Sequence, residues 1–250
     1  MINPVGMDQC LTFINCQLKP GGRGAPGGAP AVRRAVTLSR QAGCGALAVA
    51  EKLAARLQED AAPGVPPWTV FDRNLMEKVL EDHNLPARLA RFLPEDRMTQ
   101  LQDIADELFG LRPGSWTMIE QTAETILKLA ELGQVILIGR GATIITARLP
   151  HVLHVRLVAP PEKRLEHCRK SYGMSEREAR VFCAREDTGR ERYLKKYFKA
   201  DVNDPLLYHL VINTGLVSFD EAARLIAEAL KGAAPVNNQP LKQLAARVRH

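Results

Sequence analysis

The chain lacks the features of membrane and secreted proteins. No stretch reaches the ~18 consecutive apolar residues that a membrane-spanning helix needs. The N-terminus carries Asp8 before a short, interrupted apolar patch and then turns to proline and glycine, which makes a poor signal peptide. We therefore expect a cytoplasmic protein that has no membrane partner.

Cysteine is scarce, and the five cysteines form no Cys-x-x-Cys pair. An odd, scattered set predicts a reducing compartment and no structural zinc. One of the five precedes a predicted helix, where the helix N-terminus would lower its pKa, although a small residue filling a serine or alanine position is the more ordinary interpretation. The cysteines are Cys10, Cys16, Cys44, Cys168 and Cys183.

Familiar catalytic patterns are also missing. No Ser-His-Asp set, carboxylate pair or His-Glu-x-x-His helix stands out. His151 and His154 are three residues apart on a strand-like segment, and this spacing directs them to opposite faces. We therefore expect no metal bound by protein ligands alone.

The net charge of +6 lies in the two ends of the chain. Residues 1–34 hold four basic residues and one acidic residue, and residues 231–250 hold four basic residues and no acidic one. The segment between them is therefore slightly acidic. Because the basic ends lack interleaved aromatic residues, a nucleic-acid partner is not expected, and the oligomeric state stays open.

Composition divides the chain into three parts. Residues 20–30 are almost entirely proline, glycine and alanine, so residues 1–34 are predicted to be a flexible leader. Residues 233–240 form a second proline-containing linker, and residues 232–250 are predicted to be a basic tail. The folded domain is expected over residues 35–231.

Short apolar, β-branched runs alternate with helical patterns across this domain. The alternation predicts an α/β fold with three layers, in which helices cover both faces of a parallel five-stranded sheet. Ligands in such folds bind at the carboxyl ends of the strands. The predicted strands are 35–38, 68–71, 135–138, 152–158 and 210–212. The predicted helices are 45–58, 74–83, 95–109, 115–132, 160–171, 175–187, 189–199 and 218–231.

The first strand runs into a glycine turn and then directly into a helix. This layout presents backbone N–H groups and a helix N-terminus to a phosphate. Compared with the usual phosphate-loop signature, Arg40 holds the place of the first glycine, and Ala46 and Leu47 replace the lysine and the hydroxyl residue. The motif alone is weak, because many α/β domains make this turn without a ligand. The predicted phosphate ligands are Ser39, Arg40, Gln41, Gly43, Cys44, Gly45 and Ala46.

Two other strand ends carry charged residues. Asp72 and Arg73 follow the second strand, where they would meet substrate hydroxyls and phosphate, although for these two residues alone we favour a helix cap and a solvated arginine. Arg140 stands between Gly139 and Gly141 after the third strand, and there we favour a functional role.

Residues 185–199 contain six basic and three acidic residues. A basic helix pair that closes over phosphates would supply the positive charge that phosphoryl transfer needs. The alternative is an exposed helix with ion pairs between successive turns.

Taken together, these motifs resemble the cytidylate kinase-like family, a branch of the P-loop nucleoside monophosphate kinases. The likeness covers about residues 35–231, and its most specific parts are Ser39-Arg-Gln, Gly139-Arg-Gly and Asp187-x-x-Arg-x-x-Tyr193. The family transfers the γ-phosphate of ATP to a nucleoside monophosphate with Mg²⁺. The resemblance therefore implies an ATP-dependent kinase, with CMP or dCMP as candidate acceptors.

The resemblance also implies residue roles. Residues 39–45 would form the phosphate loop, Asp72 and Arg140 would lie in the acceptor site, and a helical lid would span about residues 162–199. Four lid residues would clamp the phosphates: Arg164, Arg185, Asp187 and Arg190. Of the predicted site residues, Arg40, Arg185, Asp187 and Arg190 are expected to be catalytic.

The chain departs from the family at several places. It lacks both the loop lysine and the arginine that replaces it in some members. His167 and Ser171 stand where lid arginines are common, and Gly141 stands where bacterial enzymes carry an aspartate that reads cytosine. The alternative hypothesis is a non-catalytic, nucleotide-binding regulatory module that kept the fold and lost the lysine.

Overall fold

The computed structural model describes residues 34–61, 66–72, 95–109 and 117–232. Residues 1–33 of the predicted leader, the basic tail beyond Gly232, the helix at 74–83 and Arg73 fall outside these residues. Among the described helices, none is both long enough and apolar enough to cross a membrane.

Five parallel strands form one sheet, with the order β2-β3-β1-β4-β5. The strand β1 lies in the centre, where it pairs with β3 from Ala35↔Val135 and with β4 from Ala35↔Val152. This arrangement confirms the predicted fold, and each predicted strand is present within two residues of its expected ends. The strands are β1 (Ala35–Arg40), β2 (Thr69–Phe71), β3 (Val135–Ile138), β4 (Val152–Val158) and β5 (Leu210–Asn213).

Helices flank the sheet. The described α-helices are α1 (Ala46–Glu59), α2 (Glu95–Phe109), α3 (Thr117–Leu132), α4 (Ala142–Ile145), α5 (Pro161–Tyr172), α6 (Glu176–Phe198) and α7 (Phe219–Gly232). A short 3₁₀ helix spans Pro205–Leu207. The one-turn helix α4 was not expected from the sequence.

The prediction of two helices at 175–187 and 189–199 is wrong, because α6 continues through Gly189. A glycine inside a helix costs only about 1 kcal/mol. Buried Ala179 and Cys183 anchor the first half of α6, and buried Phe198 anchors the second half. Arg190 also pairs with Glu186 across the glycine. Packing at both ends therefore offsets the weak helix propensity at the centre.

Alternation along β1 divides the core into two halves. Val36 and Leu38 pack with the side chains of α1 and α7, whereas Ala35 faces α3 and α4 on the other side of the sheet. At the carboxyl end of the sheet, helices α5 and α6 form a hairpin whose buried Cys168 and Cys183 pack against Ala42. The hairpin thus lies directly against the turn that follows β1.

Candidate functional site

The turn between β1 and α1 has the backbone geometry of an anion site. Gly43 and Gly45 adopt left-handed conformations, with φ of 78° and 76°. Gly45 is the N-cap of α1, and no side chain forms a capping hydrogen bond there. The first N–H groups of a helix have no partner within the helix, which suits such a terminus to an anion, although the Ala46 N–H is already hydrogen-bonded to Cys44.

Both glycines are also required by the packing of the protein itself. A Cβ atom on Gly43 would lie 2.6 Å from the carbonyl oxygen of Arg164, and one on Gly45 would lie 2.1 Å from the ring of Phe219. A side chain at either position would therefore meet protein atoms whether or not a ligand is bound.

Two predicted phosphate ligands use their side chains to fasten the turn to the sheet. Ser39 Oγ accepts a hydrogen bond from Arg156 Nη1 at 2.9 Å and lies 3.1 Å from the hydroxyl of Tyr208. Gln41 Oε1 accepts a hydrogen bond from the backbone N–H of Ala159 at 3.0 Å. The backbone N–H groups of Gln41 and Ala42 also have partners, the Leu157 carbonyl and the Asp187 carboxylate.

Cys44 is buried and its thiol is not activated. Its carbonyl oxygen accepts a hydrogen bond from Thr214 Oγ1 at 2.9 Å. Burial raises the pKa of the Cys44 thiol to about 11, and this effect outweighs the nearby Arg40 charge and the Ala46 N–H, both of which lower it. The expectation of a lowered pKa is therefore wrong, and the interpretation as a small packing residue agrees with the structure.

The lysine and hydroxyl positions of the loop carry apolar side chains. Ala46 is buried and Leu47 is largely exposed, so neither supplies a cation or an oxygen ligand. Within the described ranges, no group of three His, Cys, Asp or Glu side chains is arranged to hold a metal ion. Ala46 and Leu47 therefore supply no side-chain ligand for Mg²⁺ at these two positions of the loop.

Asp187 of α6 joins the hairpin to the loop. Its Oδ1 accepts hydrogen bonds from the backbone N–H of Ala42 at 2.7 Å and from Arg190 Nη1 at 3.0 Å. Its Oδ2 accepts a hydrogen bond from Arg164 Nη1 at 2.5 Å. A loop amide and two guanidinium groups therefore converge on one carboxylate, and all three residues are largely buried.

Arg185 lies apart from this cluster. Its side chain is 71% exposed and lies 3.5 Å from Glu186. Its guanidinium carbon lies 5.9 Å from the ring centre of Phe182. The structure thus brings Arg164, Asp187 and Arg190 together at the loop and leaves Arg185 on the outer side of α6.

Arg40 is a desolvated cation at the end of β1. Burial and the charge of Arg190 lower the pKa of Arg40 to about 10, with Asp72 acting in the opposite direction. The side chain lies over Gly139, where a Cβ atom would be 1.9 Å from Nη1. In the described part of the chain, the Arg40 side chain has no hydrogen bond or close ion pair, and Asp72 and Glu186 act on it only through their charges. Arg40 therefore lies between the phosphate loop and the end of β3.

The end of β3 forms an unusual turn. Gly139, Arg140 and Gly141 all have positive φ angles, of 80°, 54° and 73°. Arg140 holds this conformation although it has a Cβ atom, and such strain is often retained at ligand sites. Asp72, at the end of β2, is close enough to Arg40 to affect its pKa. The predicted acceptor residues and Arg40 therefore share one edge of the sheet.

Sequence reasoning missed Arg156. This strand residue is only 5% exposed, and it donates hydrogen bonds to Ser39 and to Asn203 Oδ1 at 2.8 Å. Its guanidinium carbon lies 5.7 Å from the ring centre of Tyr208. The available signal was an arginine inside the apolar run of β4, a position where a charge needs buried partners.

A solved structure from Eubacterium ventriosum, of a protein described as uncharacterized, matches this fold with a TM-score of 0.55 and 17% sequence identity. It covers 80% of this chain and 100% of its own. At that identity the likeness concerns the fold alone.

A uronate isomerase from Corynebacterium glutamicum is 32% identical over 111 residues, which are 44% of this chain and 21% of the isomerase. This chain thus spans about a fifth of the length of that relative. The cytidylate kinase-like family matches residues 35–216, which include the glycine turn, the Gly-Arg-Gly turn and the α5–α6 hairpin. The chain therefore belongs to the cytidylate kinase-like family.

Proposed function

We propose that this protein transfers the γ-phosphate of ATP to a nucleoside monophosphate, with CMP or dCMP as the first candidate acceptors. The observation that carries the proposal is Arg40. A buried guanidinium beside a second arginine, with no acceptor among the described residues, is unfavourable unless an anion joins it. A phosphate at the loop would supply that anion.

The mechanism is an in-line transfer that forms no covalent intermediate with the protein. The N–H groups at the start of α1 would bind the donor phosphates, and Asp72 and Arg140 would orient the acceptor. Arg40, Arg164 and Arg190 would offset the negative charge that builds up in the transition state, which is the larger part of phosphoryl-transfer catalysis. Their charges would take the place of the loop lysine, whose position is occupied by Ala46.

The decisive experiment measures coupled ADP release across a panel of nucleoside monophosphates in the presence of Mg²⁺. We expect slow turnover with at least one pyrimidine monophosphate. Arg40→Ala and Arg190→Ala should each lower kcat about a hundredfold, because a group aimed at developing charge is worth roughly 3 kcal/mol. Arg180→Ala is the matched control, since this arginine also lies on α6 but is exposed and pairs with Glu176.

The same assay tests Arg185, whose catalytic role remains a prediction. A large loss of kcat in Arg185→Ala would require the hairpin to rotate, because this side chain faces solvent. If the wild type binds ATP and releases no ADP with any acceptor, the regulatory nucleotide-binding module becomes the better description. If it binds no nucleotide, both functions fail.

A further inference from the structure

The phosphate loop holds an anion that belongs to the protein itself. The Asp187 carboxylate receives a backbone N–H from Ala42 and guanidinium N–H groups from Arg164 and Arg190. Backbone amides at a glycine turn combined with arginine side chains are the donor set that proteins use for phosphate oxygens. The carboxylate therefore satisfies donors that match a phosphate group equally well.

This arrangement is more than an ion pair along one helix. Arg190 is three residues from Asp187, and that pair alone would be an ordinary surface interaction. Ala42 and Arg164, however, belong to the loop and to α5, and Ala42 is 145 positions away in sequence. Only 3% of Ala42 is exposed, so its amide is closed to solvent while the contact exists.

Two arginine side chains at this cluster carry N–H groups that Asp187 does not satisfy. In the described part of the protein, Nε of Arg164 is buried and has no hydrogen-bond partner. Arg40, whose charge is felt at Arg190, has no acceptor there either. A phosphate carries more oxygen acceptors and more negative charge than a carboxylate. A phosphate could therefore satisfy N–H groups that the carboxylate leaves without an acceptor.

We propose that Asp187 is an internal occupant of the phosphate site, and that a phosphate group of the nucleotide must displace it from Ala42 and the two arginines. The inference rests on the proposed function and adds a mode of regulation to the same site. The carboxylate holds α6 against the loop and keeps Arg164 and Arg190 in place when no nucleotide is bound. Displacing the carboxylate releases α6 from the loop. Because this displacement costs free energy, the apparent affinity of the protein for phosphate ligands is lower than it would be without Asp187.

The test uses inorganic tripolyphosphate as the probe, in isothermal titration calorimetry at fixed ionic strength and without Mg²⁺. Asp187→Asn removes the charge and keeps the shape, and Asp187→Ala removes the acceptor as well. We expect both variants to bind the probe about tenfold more tightly than the wild type, a change of about 1.4 kcal/mol. Glu191→Gln is the control, because it removes one negative charge from the same helix at a residue that contacts Asn203 instead. The Glu191→Gln variant should bind tripolyphosphate with an affinity within about twofold of the wild type.

A measurement on the wild type alone covers the case in which the variants do not fold. The ¹³Cγ resonance of Asp187 and the amide resonance of Ala42 should both shift saturably as tripolyphosphate is added. Resonances that stay unchanged while calorimetry detects binding would overturn the inference.

The outcomes separate this inference from the proposed function. Equal or weaker binding by the Asp187 variants, or equal tightening by Glu191→Gln, overturns the inference and leaves the kinase proposal standing. If the Asp187 variants bind tripolyphosphate more tightly but no ADP release is found with any acceptor, Asp187 is supported as the internal occupant and the kinase proposal is refuted. No binding of tripolyphosphate by any of these proteins refutes both.

Discussion

Two glycine turns leave neighbouring strands at the same edge of the sheet, and they are built differently. The turn after β1 leads into the 14-residue helix α1, and its glycines are crowded by the Arg164 carbonyl and the Phe219 ring. The turn after β3 leads into the four-residue helix α4, and its first glycine is crowded by the end of the Arg40 side chain. The first turn is thus fixed by packing alone, whereas the second meets both the Arg40 cation and the Phe198 ring, which lies 2.7 Å from a Cβ position on Gly141.

The difference shows how the glycine turn keeps its shape although Ala46 stands at the lysine position of the usual phosphate-loop signature. The backbone of the first turn is held largely by neighbours other than the three arginines, such as Phe219 and Thr214. The positive charge comes from elsewhere: Arg40 lies against the second turn, and Arg164 and Arg190 come from the hairpin. Shape and charge are therefore carried by separate parts of the structure, and substitutions should separate them.

The largest expected effect is on the first turn. Gly45→Ala should reduce the free energy of unfolding by about 3 kcal/mol, because the Cβ atom meets the Phe219 ring and the left-handed backbone is strained. Gly173→Ala is the matched control, since Gly173 has φ of 66° but nothing within 4 Å of its Cβ position. That variant should lose only about 1 kcal/mol. Chemical denaturation measures both values, and equal losses would show that the ring does not constrain the turn.

The second effect should appear in binding more than in stability. Gly139→Ala places a Cβ atom against Arg40 Nη1, and this flexible side chain can move away, so unfolding should cost about 1–2 kcal/mol. The displaced cation should weaken tripolyphosphate binding about tenfold. A double-mutant cycle with Arg40→Ala checks the cause, because the two losses should not add if both act through Arg40. Additive losses would show that Gly139→Ala weakens binding by a route other than the Arg40 side chain.

The third prediction concerns the strained arginine of the second turn. Arg140→Gly and Arg140→Ala remove the same functional group, but only glycine accepts a φ of 54° without strain. The glycine variant should therefore be more stable than the alanine variant by about 1 kcal/mol. Both variants should bind the nucleoside monophosphate acceptor about tenfold more weakly than the wild type, as calorimetry would measure. Different affinities for the two variants would assign Arg140 a role in the turn conformation rather than in ligand contact.

The smallest expected effect is on the reactivity of Cys44. Its raised pKa of about 11 keeps the thiol neutral in the folded protein well above pH 9. The resulting stabilisation is complete below the unfolded pKa near 9 and is lost as the pH rises through about 11. Alkylation followed by mass spectrometry should detect no modification of native Cys44 at pH 8. Rapid labelling there would show that the first turn opens.

Much of the framework could be predicted from local patterns in the sequence. The apolar β-branched runs identified all five strands, and the two glycines after β1 identified the turn. The continuous helix α6 was misread because Gly189 is a local signal, whereas Ala179 and Phe198 hold the helix through contacts with other elements. Arg156 was missed because its partners Ser39 and Asn203 lie far away in the chain.

The sequence by itself determined the order of strands and helices, since hydrophobic period and turn chemistry are local properties. Only the tertiary structure decided which charges meet. Asp187 reaches Ala42, Arg40 covers Gly139, and Phe219 packs on Gly45, although each pair lies far apart in the chain. The crossovers of the parallel sheet bring these residues to one edge, where burial strengthens their interactions.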